Sequence, residues 1–540
     1  MSVPHTLKRL TLQLIASSLS VCVMSNAHAE LTDNIGIDPK AMSLGNAVTA
    51  DPPGLASIHF NPAGLARIET NVDDNIVTVA SIRNYDTFEA APDLNFGGFK
   101  NDPLNGTSSG GGRQRLTLPV LGLMPWHLPG IALPSMGFAF HQEGSPFTFA
   151  TLTYMPFFYS LDRGKNPNDP GAYDGKVVDM QRLVYVSPSV GYKYSDTLRF
   201  GIAIPISYSS IEINTDMRFP NKLLGTIGQL QKGTCPNGNP TVIDTLTFGL
   251  CGGGPDGMLD PFKKAANFNL SLDAPIDPTV NIGTLWEPVD WFAFGAVMQA
   301  GTKTTYHGQY EFNTYPMLRQ FVTGLNSSLM GPILAAITGM PQQIPPVQQG
   351  NVVATMPYPT RFQFGVKLKP VSFVQFNLDA SWADWSKWNS MTMQFDRNIG
   401  VLEMAHLFGV PNATQLKIPL GFRSVVNYGA GMQVNVTKDL ALRFGYEPRK
   451  SSVPGDKISL LTPLPDTKLL STGLSYKISE VDTVDIGASY MKGTYHVPAR
   501  TDCNLNCDNF FNLIYNPYAA MNVSGSLTVR YFGFKYSHAY

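Results

Sequence analysis

Apolar and polar residues alternate with a period of two over long stretches of this 540-residue chain. Between residues 425 and 448, Val426, Tyr428, Ala430, Met432, Val434 and Val436 share one face, against Asn427, Gly429, Gly431, Gln433 and Asn435 on the other. Thr437-Lys438-Asp439 turns the chain, and Leu440, Leu442, Phe444 and Tyr446 return against Ala441, Arg443 and Gly445. Side chains alternate sides along a strand, so this period gives each strand one apolar and one polar face. Residues 184–194 and 198–208 repeat the pattern around Ser195-Asp196-Thr197. So do 362–368 and 374–382, with Gln363, Gln375, Asn377 and Asp379 on the inner side, and 470–478 with 484–490. Long strands joined in series by tight turns predict an all-β protein, an antiparallel transmembrane barrel with lipid outside and a wet or ligand-filled lumen. A barrel is a passage, so the pattern points to transport.

Two details refine the strands. Trp286, Trp291, Trp382, Trp385, Trp388 and Tyr446 fall near strand ends and read as interfacial aromatic girdles. Phe532, Phe534, Tyr536, His538 and Tyr540 alternate up to the C-terminus, like the assembly signal of bacterial outer-membrane barrels. They are out of phase with Leu527, Val529 and Tyr531, and a bulge between the two runs would reconcile them.

Composition agrees. Charged residues are 15%, against roughly 25% in soluble domains. A mean hydropathy of −0.04 is too polar for a helical membrane protein and natural for a barrel that averages lipid face, lumen and loops. The net charge of −1 offers no basic field for nucleic acid. Lys8 and Arg9 precede an apolar stretch, and Ala27-His28-Ala29 supplies small residues for cleavage, so residues 1–29 read as a signal peptide. A lipoprotein signal at Cys22 is the rival reading, disfavoured by the bulk of Val21. Beyond residue 30 no apolar run reaches the ~18 residues of a spanning helix.

Two long insertions, about 216–278 and 313–359, interrupt the rhythm and read as extracellular loops, each with a helix. Leu223, Ile227 and Leu230 share one helical face, and Leu318, Phe321, Val322 and Leu325 share another. Such faces either pack on each other or form a shallow groove for apolar ligands. Cys235, Cys251, Cys503 and Cys507 read as two loop disulfides, Cys235–Cys251 and Cys503–Cys507. The glycine triplets at 110–112 and 252–254 lack the Lys-Ser/Thr of a phosphate loop. No nucleophile elbow or metal-ligand spacing appears, so no enzyme activity, metal or cofactor is expected.

Residues 30–72 do not alternate. Rich in small residues and proline, they suit a periplasmic tail or a plug inside the lumen better than membrane wall. They include Asn61-Pro62-Ala63 just before the first strand. That tripeptide, with Trp385-Ser386-Lys387-Trp388, Ser452-Val453-Pro454, Ile458-Ser459, Pro465-Asp466 and the strand 484–491, resembles the FadL/TodX family of outer-membrane transporters of long-chain fatty acids and other hydrophobic compounds. The resemblance spans the mature chain. It implies a barrel of about 14 strands over 73–540, with residues 30–72 folded into the lumen as a hatch. Asn61, Pro62 and Ala63 would be hatch residues, and His59 would line the lumen in a hydrogen-bonded role.

The family also implies a route: capture between the outer loops, a pocket beside the hatch, and sideways exit through a gap in the wall. Pro119, Pro125, Pro129 and Pro134 are candidates for interrupting the wall, although turn positions suit them better. One departure concerns the ligand. Where fatty-acid-taking relatives place basic residues, this chain has Ser210 and Thr392, with Arg218, Lys387 and Arg397 only nearby. The expected partners are a hydrophobic small molecule, fatty acid or uncharged hydrocarbon, together with outer-membrane lipid and lipopolysaccharide around a monomer in a Gram-negative outer membrane. A general aqueous porin and an outer-membrane lipid hydrolase are the alternatives.

Overall fold

Within a bilayer no water satisfies a backbone N–H or C=O, so strands can cross only if the ladder closes on itself. A computed structural model of the chain shows how it closes. It describes residues 34–540 apart from 119–122, 129, 165, 247, 409, 411 and 510–515; residues 1–29, read above as a signal peptide, and Pro119 and Pro129 lie outside the described residues.

The wall is a closed antiparallel barrel of 14 strands. In chain order these are β1 (Val72–Ala90), β2 (Ile131–His141), β3 (Phe147–Asp162), β4 (Val177–Val186 and Ser189–Lys193) and β5 (Leu198–Ala203 and Ile206–Met217). Next come β6 (Ala266–Pro278 and Asn281–Val289), β7 (Phe292–Gln299 and Thr302–Thr314), β8 (Val347–Tyr358 and Arg361–Val371), β9 (Val374–Ala383 and Ser390–Phe395) and β10 (Gln415–Pro419 and Val425–Asn435). The ring ends with β11 (Leu440–Arg449), β12 (Thr467–Lys477), β13 (Asp482–Val497) and β14 (Met521–Ala539). β14 pairs with β1 without a break, from Val72 opposite Ala539 to Ala90 opposite Met521.

Strands β4 to β10 are each broken once, which divides the barrel into two storeys. The storeys have opposite polarity. On β13, Val484, Ile486 and Tyr490 face out below while Asp485 and Ser489 are buried inside. Above, Lys492 and His496 face out while Met491, Tyr495 and Val497 are buried inside. The lower storey meets lipid with a belt that includes Val77, Phe138, Ile202, Phe364, Phe376 and Phe534, all exposed. In the upper storey the apolar residues turn inward.

This inversion corrects the reading of the last strand. β14 has no bulge, and its register to both neighbours is unbroken. Leu527, Val529 and Tyr531 are buried inside and Phe532, Phe534 and Tyr536 face lipid, so the apolar face changes sides along one regular strand. The same inversion corrects two girdle residues. Trp286 and Trp291 are exposed, but Trp385 (1% exposed) and Trp388 (8%) are buried inside the upper barrel.

The insertions are shorter than their sequence bounds of 216–278 and 313–359. Ala266–Pro278, Thr302–Thr314 and Val347–Tyr358 are wall strands, leaving loops of 218–265 and 315–346. The upper-storey inversion hid these strands, because their outward residues are polar and resemble loop. Pro125 and Pro134 lie in strands rather than turns: Pro125 in Leu123–Leu128, Pro134 in β2 opposite Val77.

One seam of the wall is incomplete. β1 pairs with β2 only up to Ala80 opposite Ile131, and β2 with β3 only up to Met136 opposite Thr153. Higher up, β1 takes the short strand Thr107–Gly111 as partner, and a separate hairpin of Gln114–Leu118 and Leu123–Leu128 crosses the space. Among the described residues the bonds from that region to β1 and β3 are single ones. The Gln114 side chain donates to the Ile82 carbonyl (2.6 Å), Arg115 N donates to Ser160 Oγ (2.7 Å), and Asp162 N donates to the Arg113 carbonyl (3.0 Å).

Residues 34–68 fill the lower lumen and are almost wholly buried. Inward glycines let this segment touch the wall backbone. A Cβ on Gly201 would lie 2.1 Å from the Pro62 carbonyl carbon, and one on Gly283 would lie 2.0 Å from Asn61 Oδ1. Gly201→Leu is therefore expected to dislodge the segment while leaving the outer face intact. Single-channel recording should show low conductance for the wild type and large openings for the variant; equal conductance would show that the segment does not seal the lumen.

Candidate functional site

The hatch is built from local rules. Asp38 caps the helix Pro39–Ser43 through Ala41 N (2.9 Å), with proline first, where a missing N–H costs nothing. Asn61-Pro62-Ala63 repeats the device at the turn Pro62–Arg67. Asn61 Oδ1 accepts from Ala63 N (3.2 Å), and its Nδ2 donates to the carbonyls of Thr49 (2.8 Å) and Thr284 (3.0 Å). The tripeptide thus joins hatch to hatch and hatch to wall.

The inward polar residues of the lower storey hold the rest. Asp379 accepts from Thr49 N (2.9 Å) and Oγ1 (2.7 Å), Asn377 donates to the Ala47 carbonyl (2.8 Å), and Gln299 to the His59 carbonyl (2.7 Å). Lys535 bridges Asp38 (3.1 Å) and Asp74 (3.4 Å). At the bottom, Arg67 binds Glu287 (2.6 Å) and Asp51 (3.3 Å), and Lys40 binds Asp51 (2.9 Å). Burial alone would raise the Asp51 carboxyl, but Lys40, Arg67 and Lys367 together hold it well below the usual range.

His59 stands at the top of the hatch. Its Nε2 lies 2.8 Å from Asn34 Oδ1 and its Nδ1 3.3 Å from the Tyr154 hydroxyl. Burial, reinforced by Arg361 and Arg182, pushes the imidazole down to about 3, so it is neutral at physiological pH.

Above it the lumen is apolar. A cavity of about 110 Å³ is lined by Met180, Ile213, Phe268, Met356, Trp388, Met391 and Phe422, with Asp174, Arg218 and Lys457 at its margin. A smaller one of about 30 Å³ shares Met180, Met356 and Trp388 with it and continues toward Phe157, Arg182, Ser210, Tyr306 and Trp385. Trp388 packs edge-on against Trp385 (centroids 4.8 Å apart) and beside Phe422 (5.5 Å). Unbranched methionine adapts to ligands of differing shape, and the aromatic rings supply area with little lost entropy.

Both lining arginines are already paired. Arg218 binds Asp102 at 2.8 Å and donates to the Pro517 carbonyl at 2.6 Å. Arg182 binds Asp277 at 3.1 Å and lies 4.0 Å from the centre of the Tyr358 ring. Ser210 lines the lower cavity, whereas Thr392 alternates with the buried Met391 and Met393 and so faces away from the lumen.

Five of the seven loop residues read as a groove lie in one packed cluster. Leu318, Phe321 and Val322 are buried with Phe219, Leu259 and Met404, and Leu223 and Ile227 pack against them. Leu325 is buried outside that cluster and Leu230 is half exposed. The Cys235–Cys251 disulfide ties the helix Lys222–Thr234 to the following segment, and Cys503–Cys507 closes a tight loop. That second loop roofs the upper cavity: Asn504 and Pro517 line it, and Tyr518 stacks on Phe88 with centroids 4.7 Å apart. Sequence reasoning missed Arg182, Asp277 and the methionine lining, because these partners come from strands far apart in the chain.

Two measurements check this geometry. Asn61→Ala leaves buried carbonyls unpaired, a loss of about 1–3 kcal/mol borne by the hatch alone; protease sensitivity of residues 34–68 should rise while the barrel keeps its folded migration on gels. Burial raises the Asp502 carboxyl from 3.8 to about 7. A raised carboxyl favours the closed loop at low pH and stops doing so as pH climbs to 7. Hydrogen exchange of the 498–509 loop, corrected for intrinsic rate, should therefore be slower at pH 5 than at pH 8, and Asp502→Asn should flatten the difference.

Comparison with known proteins identifies a family and a shared fold. A family profile described as "Outer membrane protein transport protein (OMPP1/FadL/TodX)" matches residues 19–531. The long-chain fatty acid transport protein of Escherichia coli O6:H1 (strain CFT073) is 22% identical over 326 residues, which span 60% of this chain and 61% of that protein. The crystal structure of a Pseudomonas aeruginosa FadL homologue superposes with a TM-score of 0.64 at 16% identity, covering 95% of this chain and all of that one. The Pseudomonas putida toluene transporter TodX gives 0.59 at 12% identity, covering 94% and 99%.

Proposed function

The chain belongs to the OMPP1/FadL/TodX family of outer membrane transport proteins and resides in the outer membrane, and from that premise we propose that it imports hydrophobic compounds, with an uncharged molecule as preferred ligand. The observation that carries this reading is the upper lumen: two adjoining methionine- and aromatic-lined cavities whose arginines, Arg218 and Arg182, are neutralised by buried aspartates, with Lys457 as a further cation on the upper lining. Magnitudes decide between ligand classes. Each buried methylene gains about 0.8 kcal/mol, while a charge-assisted bond to a carboxylate adds about 1.5–3 kcal/mol. The apolar body of either ligand therefore supplies most of the affinity, and the head group decides only selectivity.

A ligand leaving the lower cavity meets the hatch and its ion pairs below, which oppose passage of grease into the periplasm. The seam between β1 and β3 offers less resistance, since among the described residues its upper part is bridged by the short strand Thr107–Gly111 and a few single bonds rather than by a continuous wall strand. We take sideways release there, into the outer membrane, as the route. The hatch anchors argue against an open aqueous porin.

Competition binding to purified protein tests the ligand class. A carboxylic acid and an uncharged hydrocarbon of equal length should bind within about tenfold of each other. Met356→Arg should shift preference toward the acid. An acid preference above tenfold in the wild type, the effect of one charge-assisted bond, would overturn the uncharged assignment.

A further inference from the structure

A recess of about 700 Å³ lies outside the lumen, on the outer face of the upper storey of β5 to β8. The outward residues of its floor alternate with the buried inner residues Ile213, Leu270 and Val352 and are largely amides, Asn214, Asn269, Gln309, Gln349 and Asn351 beside Glu212, while Val177 and Tyr310 add apolar surface to the lining. An arginine closes each end. Arg115, held beside β3 through Ser160, pairs with Glu212 at 3.2 Å. Arg397, just beyond β9, pairs with Asp396 at 3.2 Å. Arg115 thus cancels Glu212 and Arg397 cancels Asp396, and Glu311 adds a further negative charge to the lining.

That chemistry is selective. A floor of amides excludes an acyl chain, because burying unpaired amides under hydrocarbon is unfavourable. Cancelled charge gives a simple anion little to hold. Each amide both donates and accepts, which matches the vicinal hydroxyls of a sugar. The floor is also held in place from within: Asn214 Nδ2 donates to Asn269 Oδ1, and Asn267 Nδ2 to Asn214 Oδ1 (3.0 Å). Its position fits as well. Lower on the same strands the outer face turns apolar, with Ile202, Ile282 and Phe364 exposed, so the recess stands at head-group height above the lipid belt.

We infer that this recess binds the core saccharide, beyond the acylated disaccharide, of an outer-leaflet glycolipid whose acyl chains lie along the apolar belt below. Native mass spectrometry of the purified barrel tests it with three probes: lipopolysaccharide carrying its core sugars, lipid A lacking them, and phosphatidylglycerol. The wild type should retain the core-bearing glycolipid at least tenfold better than lipid A. Asn269→Leu combined with Asn351→Leu should lose that margin while folded migration and hydrophobic uptake stay unchanged. Gln309→Leu with Gln349→Leu serves if the first pair does not fold. Equal retention of lipid A and the core-bearing form would overturn the site. Unchanged retention in folded variants, or a matching loss for phosphatidylglycerol, would do so as well.

Discussion

The inversion of polarity between the two storeys governs this molecule. Below, the outside must be apolar because it faces hydrocarbon, and the inside is free to be polar. There the inner amides, carboxylates and glycines bind a folded peptide. Above, the outside is polar, and the inside carries the methionines and tryptophans. One regular alternation serves both, because a strand exchanges its apolar face simply by which parity its large residues occupy. Hatch below and greasy chamber above follow from that exchange.

Much of this was legible in the chain. Strict alternation marked the lower storey, since lipid demands it residue by residue, and Gln363, Asn377 and Asp379 stood out as inner positions. The upper storey misled for the same physical reason. Ala266–Pro278 hides its strand character because its outward residues are polar. Leu527 and Phe532 suggested a slip that the backbone does not make. Trp385 and Trp388 passed for interfacial aromatics because sequence shows that a residue is large, not which side of a wall it faces. The hatch contacts were beyond reach for another reason: Asn61 meets Thr284, Lys535 meets Asp38, and no local period links such partners.

The chamber also shows how buried cations are accommodated in an apolar lumen. Arg182 and Arg218 stay buried because Asp277 and Asp102 accompany them; an isolated charge there would be strongly unfavourable. Pairing leaves them as packing surface and ring neighbours rather than as receptors for a carboxylate. On the function proposed above, recognition then falls mainly to the fit of apolar surface.

The union of β1 with β14 has a kinetic side. It brings Asp73 against Tyr540, 467 residues apart in sequence. Loop-closure entropy rises only with the logarithm of length, so this joint is disfavoured by about 4 kcal/mol relative to a four-residue hairpin, little against a full ladder of backbone bonds. Time is the harder demand. Contacts between distant segments form slowly, and until these two meet, each presents a bare strand edge on which a second chain could grow. A molecule built this way needs an escort between synthesis and insertion that shields two edges at once.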